Sequence, residues 1–340
     1  LGVVLIISPL MIYYFFKSLL YFFVVKSNLK RQKNFMSGHL TPVIHSIGEI
    51  SDGSIDDEDI KKIYLYGQAI PAVLGEAYCH LRGVKMSHNE RLSLTYLGSI
   101  TGLFDDLFDR RNLPPEYILD LLRHPVEKMT SCQNENLLVR LYLLGLRNSD
   151  HPGLIKEYAI KVYEAQISGL RQESGDLSEE ELSIITFNKG GFSMPLYRCA
   201  FRGAISNVDY EMLYNLGAIG QLENDLFDVY KDFKAGLRTL ATSVSNVGHL
   251  REIYENQIYK IFGLINMTEY PEKNKNKFKH FSAMVVCSGL VCLDMYQTLS
   301  KSSENKFQIQ KYSRKQLICD MQRLSKLLKM LHYTSKFAKK

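Results

Sequence analysis

An all-α fold is predicted by three features of this 340-residue sequence. From Ile60 onward the apolar residues recur at helical spacing almost without relief. Two capping boxes, Ser87-His-Asn-Glu90 and Ser178-Glu-Glu-Glu181, place a hydroxyl and a carboxylate where they can satisfy the amides of a first helical turn. No stretch alternates apolar and polar residues between hairpin turns, so strands are not expected.

Taken in order, residues 1–25 are apolar except for Lys17, and Lys26, Lys30, Arg31 and Lys33 follow them. That length suits a bilayer crossing and the basic flank suits its cytoplasmic side. Pro9, Lys17 and a first residue that is Leu where an initiator Met is expected speak against it, with Met11 or Met36 as later starts. Residues 1–35 are therefore expected to be either a membrane anchor or interfacial helix, or a misassigned start. A signal peptide is not expected, because no small-residue cleavage site follows the apolar run. Residues 50–59 form an acidic, glycine-containing loop feeding a helix, without the ligand spacing of a calcium loop. A single α-helical domain is expected over residues 50–340. The helix opened at Ser87 runs towards Asp105, Pro114-Pro115 breaks the chain after it, and Asp150-His-Pro-Gly153 separates two more helices. Lys189-Gly-Gly-Phe-Ser-Met-Pro195 interrupts an apolar helix, either as a turn or as a kink lining a pocket. Leu317, Met321, Leu324, Leu328 and Leu331 form the apolar stripe of a packed terminal helix with a basic solvated face.

Bulk composition narrows the function. With 46% hydrophobic and 23% charged residues and 9 prolines the chain is globular and not disordered. A net charge of +6 is mild for this length, and no basic stretch carries the aromatic and glycine pattern of an RNA-recognition sheet, so no nucleic-acid partner is expected. The six cysteines lack CxxC or Cys/His spacing and read as reduced core residues, which favours a cytoplasmic location, with attachment to the inner face of a membrane admitted by the N-terminal segment.

Two acidic stretches carry the chemistry. On a helix, positions four apart share a face, so Asp105 and Asp109 converge, as do Asn224, Asp228 and Asp232. Carboxylates facing one cavity repel unless a cation neutralises them, and hard oxygen ligands suit magnesium, which favours sites completed by substrate phosphates. A plain solvated acidic face fits poorly, because Leu103, Phe104, Leu107, Phe108, Leu222, Leu226 and Phe227 surround the acids.

These motifs and their order resemble those of the class I isoprenoid-diphosphate enzymes, the superfamily of terpene synthases and trans-prenyltransferases. Asp105-Asp-Leu-Phe-Asp109 is similar to its DDxxD motif, which adds Asp106 to the metal set. Asn224, Asp228 and Asp232 resemble the second terpene-synthase motif, with Asp at both later positions where a hydroxyl residue and Glu are usual. Gln221 ahead of Asn224-Asp225 is similar to the head-to-tail prenyltransferases, and the spacing through Gly236 and Arg238 is similar to squalene and phytoene synthases. The resemblance implies a helical bundle around a central apolar cavity and a magnesium cluster holding a prenyl diphosphate. It also implies basic groups for the departing diphosphate: Arg171 and Lys231 foremost, then Lys189, Lys234 and Arg238, with Arg110 and Arg111 beside the first motif. Phe104, Phe192, Tyr197 and Phe201 are the expected aromatic walls around a carbocation. The first expectation is a terpene synthase, a lyase that releases diphosphate and gives a cyclised or quenched product. The alternatives are a prenyltransferase joining two isoprenoid units, head-to-tail or head-to-head, and a non-catalytic prenyl-binding helical protein. A homodimer is admitted and not required.

Overall fold

The computed structural model describes residues 9–46, 52–109, 113–126, 132–173, 176–301 and 306–338, leaving out the side chains of residues 9–11 and 105–109. Every regular element among the described residues is helical, as the periodicity predicts. The main helices are α1 (Pro9–His45), α2 (Asp57–Ala69), α3 (Glu76–Arg82), α4 (His88–Asp109), α5 (Pro115–Arg123), α6 (Gln133–Arg147), α7 (Pro152–Gly169) and α8 (Glu179–Gly191). They continue with α9 (Ser193–Arg198), α10 (Asn207–Phe227), α11 (Val229–Lys234), α12 (Leu240–Ser243), α13 (Val247–Met267), α14 (Glu272–Ser300), α15 (Arg314–Leu317) and α16 (Leu324–Phe337).

The starts of these helices follow from their caps. Ser87 Oγ accepts from the Glu90 amide at 3.3 Å while Glu90 accepts from the Ser87 amide at 2.7 Å. Ser178 and Glu181 repeat the exchange at 3.2 and 2.9 Å. The acidic loop supplies a third box, Asp56 with Asp59, at the start of α2. Between α2 and α3 lies a π-helical turn, Ile70–Gly75. Pro71 has no amide to donate, and the ladder widens so that the Glu76 amide reaches Pro71 O, five residues back.

The chain forms two compact units. One comprises Val25–Ile167 and Phe192–Ser206. In it α4 lies between α2 and α6, with Leu94, Leu97, Leu103, Leu138, Leu141 and Tyr142 buried. Arg198, 3% exposed, donates to Tyr78 Oη at 2.6 Å and to the carbonyls of Phe201, Gly203 and Ala204 at 2.9 to 3.1 Å, tying down the segment after α9. A buried guanidinium is tolerated there because its donors are matched by acceptors.

The other unit comprises Leu1–Val24, Ser168–Gly191 and Asn207–Lys340. Here α10 is central, packing against α8, α13 and α14, and α14 packs in turn on α13 and α16. Among the described residues α14 is the one helix long and apolar enough to cross a membrane, and it is mostly buried. The C-terminal expectation needs correction: the single terminal helix is two, α15 and α16, separated at residues 318–323. Leu317 is buried and its carbonyl accepts from Tyr296 Oη at 3.1 Å, whereas Leu324 and Leu328 are exposed. α16 instead buries Met330, Leu331, Thr334 and Phe337, a face displaced from the stripe chosen by hydrophobicity alone.

Candidate functional site

The second acidic motif runs from the end of α10, through Asp228 between the helices, to Asp232 in α11. Helical bonding continues across their junction, from the Asp228 amide to Asn224 O and from the Asp232 amide to Asp228 O, both at 2.9 Å. Gly236, at φ +73°, then ends the helix in the left-handed region, and the Leu237 amide returns to Asp232 O at 2.9 Å.

Within the motif the structure turns Asp225 and Asp232 inward, with 5% and 8% exposure, and leaves Asn224 exposed. Asp225 accepts from Gln221 Nε2 at 2.9 Å and from Thr186 Oγ1 of α8 at 3.2 Å. Burial pushes its carboxyl up to about 6, opposed by those donors and by Lys189, and reinforced by Asp228. Burial likewise pushes Asp232 up to about 7, reinforced by Asp225 and Asp228 and opposed by Lys231 and Lys189. Lys231 lies 3.7 Å from Asp228. Three carboxylates and two lysines of the sequence-derived neighbourhood are thus brought within electrostatic reach of one another.

The cluster depends on how closely α8 meets α10. A Cβ on Gly190 would lie 2.2 Å from Gly217 O and 2.7 Å from Gln221 Cβ, so only glycine permits this approach. The glycine pair at 190–191 is therefore a helix-packing device, and the close approach sets Thr186 against Asp225. The stem of Lys189 runs across Gly169, where an added Cβ would meet its Cδ at 3.1 Å.

Other expected site residues have partners of their own. Arg171, on the 3-10 turn Leu170–Glu173, donates to Glu181 at 2.7 Å; the Ser178 amide first, and then this bond and the Ser178 hydroxyl, hold Glu181 down to about 2. Arg238 pairs with Asp176 at 3.6 Å and donates to Leu177 O at 3.2 Å. The Lys234 ammonium sits 5.9 Å from the Tyr230 ring. In the other unit Phe104 is buried, Tyr197 shares a 2.7 Å hydrogen bond with Thr101, and Phe192 is half-buried. Phe201 packs on Tyr78 at 5.3 Å with the Arg82 guanidinium 5.0 Å above its ring, a core stack. The backbone of residues 105–109 forms the last turn of α4, while the side chains of Asp105, Asp106 and Asp109, and residues Arg110 and Arg111, lie outside the described residues.

Sequence reasoning passed over two acids. Asp225 went unchosen because helical spacing from Asn224 selects Asp228 and Asp232; the Gln221 four residues before it was the available signal. Glu223, on another face of α10, shares hydrogen bonds with Ser288 Oγ and, at 3.4 Å, with Tyr254 Oη. Those hydroxyls also reach Val285 O at 2.9 Å and Val286 O at 2.7 Å. Burial pushes Glu223 up to about 7, so the acid carries a proton of its own to share near neutrality.

Among the described residues no group of three or more His, Cys, Asp or Glu side chains converges tightly enough to enclose a metal ion unaided. The donor set of Asp225, Asp228 and Asp232 is nonetheless all oxygen and over-charged, which fits a hard cation that keeps waters and takes its remaining ligands from a phosphate. No protein-family model matches the chain, and no curated protein matches it.

Proposed function

We propose that the chain is a magnesium-dependent enzyme that ionises a linear prenyl diphosphate, in the manner of the class I terpene synthases. The supporting observation is the burial of Asp225 and Asp232 beside Asp228, where burial first, and then the neighbouring carboxylate charge, raises both acids and leaves a site short of positive charge. Together with the likeness of Asp105-Asp-Leu-Phe-Asp109 and residues 224–232 to that superfamily's two motifs, this favours a cation-dependent diphosphate site.

Asp228 and Asp232, with Asn224 at the exposed edge and Asp225 behind them, would hold the magnesium. Bound there, it would supply positive charge to the leaving diphosphate. The chain's own part is threefold. Thr186 and Gln221 hold Asp225 in place, Lys189 and Lys231 bring ammonium groups to the same region, and Gly190 keeps α8 close enough for both. When the carbon–oxygen bond breaks, its electron pair leaves with the diphosphate oxygen, and the lysines stabilise that charge as it develops.

A second reading, a prenyltransferase joining two isoprenoid units, is favoured by the Gln221 to Asp225 hydrogen bond and by the helix-ending Gly236, which give that family's spacing a structural role. Incubating the purified chain and magnesium with ten-, fifteen- or twenty-carbon prenyl diphosphates, alone and with isopentenyl diphosphate, separates the two. A terpene synthase gives hydrocarbon or alcohol of unchanged carbon number; a prenyltransferase gives a lengthened chain. No magnesium-dependent diphosphate release from any substrate would sink both. Asp105→Ala and Asp232→Asn are each expected to lower turnover at least ~100-fold with the helical spectrum unchanged.

A further inference from the structure

α1 has two faces with opposite surroundings. One is covered by α14: Tyr14 stacks on His280 at 5.8 Å, Tyr21 lies 4.8 Å from Phe281, and Ser18 shares a buried 3.1 Å hydrogen bond with His280 Nε2. The other is bare. Ile12, Tyr13, Phe16, Leu20, Phe23 and Val24 are between 39% and 67% exposed. At the helical repeat these six fall within an arc of about 120° and along about 18 Å of axis, one continuous apolar strip. A soluble surface does not leave so concentrated a strip without an occupant.

Charge and area identify the occupant. α1 contains no acidic residue. The half-buried Lys17 holds its ammonium 5.8 and 5.5 Å from the rings of Tyr13 and Tyr14, and further along the same helix Lys26, Lys30 and Lys33 are exposed. We infer that α1 lies in the interface of an anionic phospholipid bilayer, the apolar strip reaching the acyl boundary and the lysines meeting headgroup phosphates. Aromatic rings beside lysines suit that boundary, where an apolar body and a charged tip are both satisfied. A second copy of the chain suits it less. Six side chains about half exposed offer roughly 600 Å², below the ~800 Å² per partner that a stable interface buries. A copy would also set basic helix against basic helix. The packing of Tyr14, Ser18 and Tyr21 on α14 favours lying on the bilayer over crossing it. This inference does not depend on the reaction proposed above.

The chain contains no tryptophan, so a single introduced one reports alone. Phe16→Trp and Leu20→Trp are expected to shift their emission to the blue on adding vesicles of equal phosphatidylcholine and phosphatidylglycerol, while Leu65→Trp, at an exposed site on α2, is not. In co-sedimentation with the same vesicles, Lys26→Gln with Lys30→Gln is expected to weaken binding roughly thirtyfold at low salt. Phe16→Ser with Leu20→Ser should abolish it while thermal unfolding is unchanged, the side chains being solvent-facing. The inference is overturned if neither tryptophan shifts with these vesicles. It is equally overturned if the serine pair leaves vesicle binding intact, or converts a dimer to a monomer on sizing without vesicles, which would assign the strip to a second copy.

Discussion

At the scale of residues, the chain concentrates raised acids on α10 and on α11, which continues it. Glu223, Asp225 and Asp232 bind protons more tightly folded than unfolded. The native state therefore holds more protons across the interval between ordinary carboxylate values and about 7, and stability falls as pH rises through it. His280 acts in the opposite sense. Burial, and then Lys17, depress it to about 4, so its contribution is complete above the ordinary histidine value and is lost as pH falls towards 4. Glu223→Gln is expected to remove part of the alkaline decline, making the protein more stable by about 1–3 kcal/mol near pH 8 and changing little near pH 4; urea unfolding at both pH values checks it. Asp232 should respond to magnesium with pyrophosphate, since a bound cation displaces the proton. The wild-type melting temperature is expected to rise with that pair more near pH 8 than near pH 5, by the equivalent of roughly 2–3 kcal/mol at saturation. Asp232→Asn should lose the difference, which calorimetry would show.

At the scale of elements, the packing of α8 on α10 is the joint that shapes the site. Gly190→Ala places a methyl against the Gly217 carbonyl, a backbone atom that cannot swing aside. The helices must part, costing about 2–3 kcal/mol, and Thr186 must draw away from Asp225. Gly220→Ala, where an added Cβ meets nothing within 4 Å, is the control. It is expected to be neutral or to stabilise by up to ~1 kcal/mol through helix propensity. Equal destabilisation of both variants in chemical unfolding would show that the close approach is not what glycine 190 provides. The caps at Ser87 and Ser178 were legible from sequence because a capping box closes within four residues. The π-turn after Ile70 was not, although Pro71 causes it, because a proline in a helix can be met by a kink, a break or a widened turn. The division between α15 and α16 was hidden for a related reason: a regular leucine stripe looks the same whether or not a neighbouring tyrosine claims the carbonyl that would continue the helix.

At the scale of the whole molecule, the cysteines give a test that spans both units. None of the six forms a disulfide, and five of them are buried. Cys132 is partly exposed at the start of α6, where its sulfur accepts from the Glu135 amide. Titration with a thiol reagent is expected to label about one equivalent in the native protein and six after denaturation, the buried thiols being closed to reagent. Rapid native labelling of more than one would mean that a described core opens readily.

What the sequence determined by itself is whatever hydrogen bonding closes over a few residues: the helical class, its caps, and the spacing of Asn224, Asp228 and Asp232. What only the tertiary structure decided is which side of each helix is covered. α8 covers the face of α10 that carries Asp225, and α14 covers the Tyr14 side of α1 while its apolar opposite stays bare. The physical reason is that helical geometry is set by near neighbours in the chain. Burial, and the charge and pKa shifts that follow from it, is set by elements far away in sequence, whose approach can depend on a single missing methyl group at Gly190.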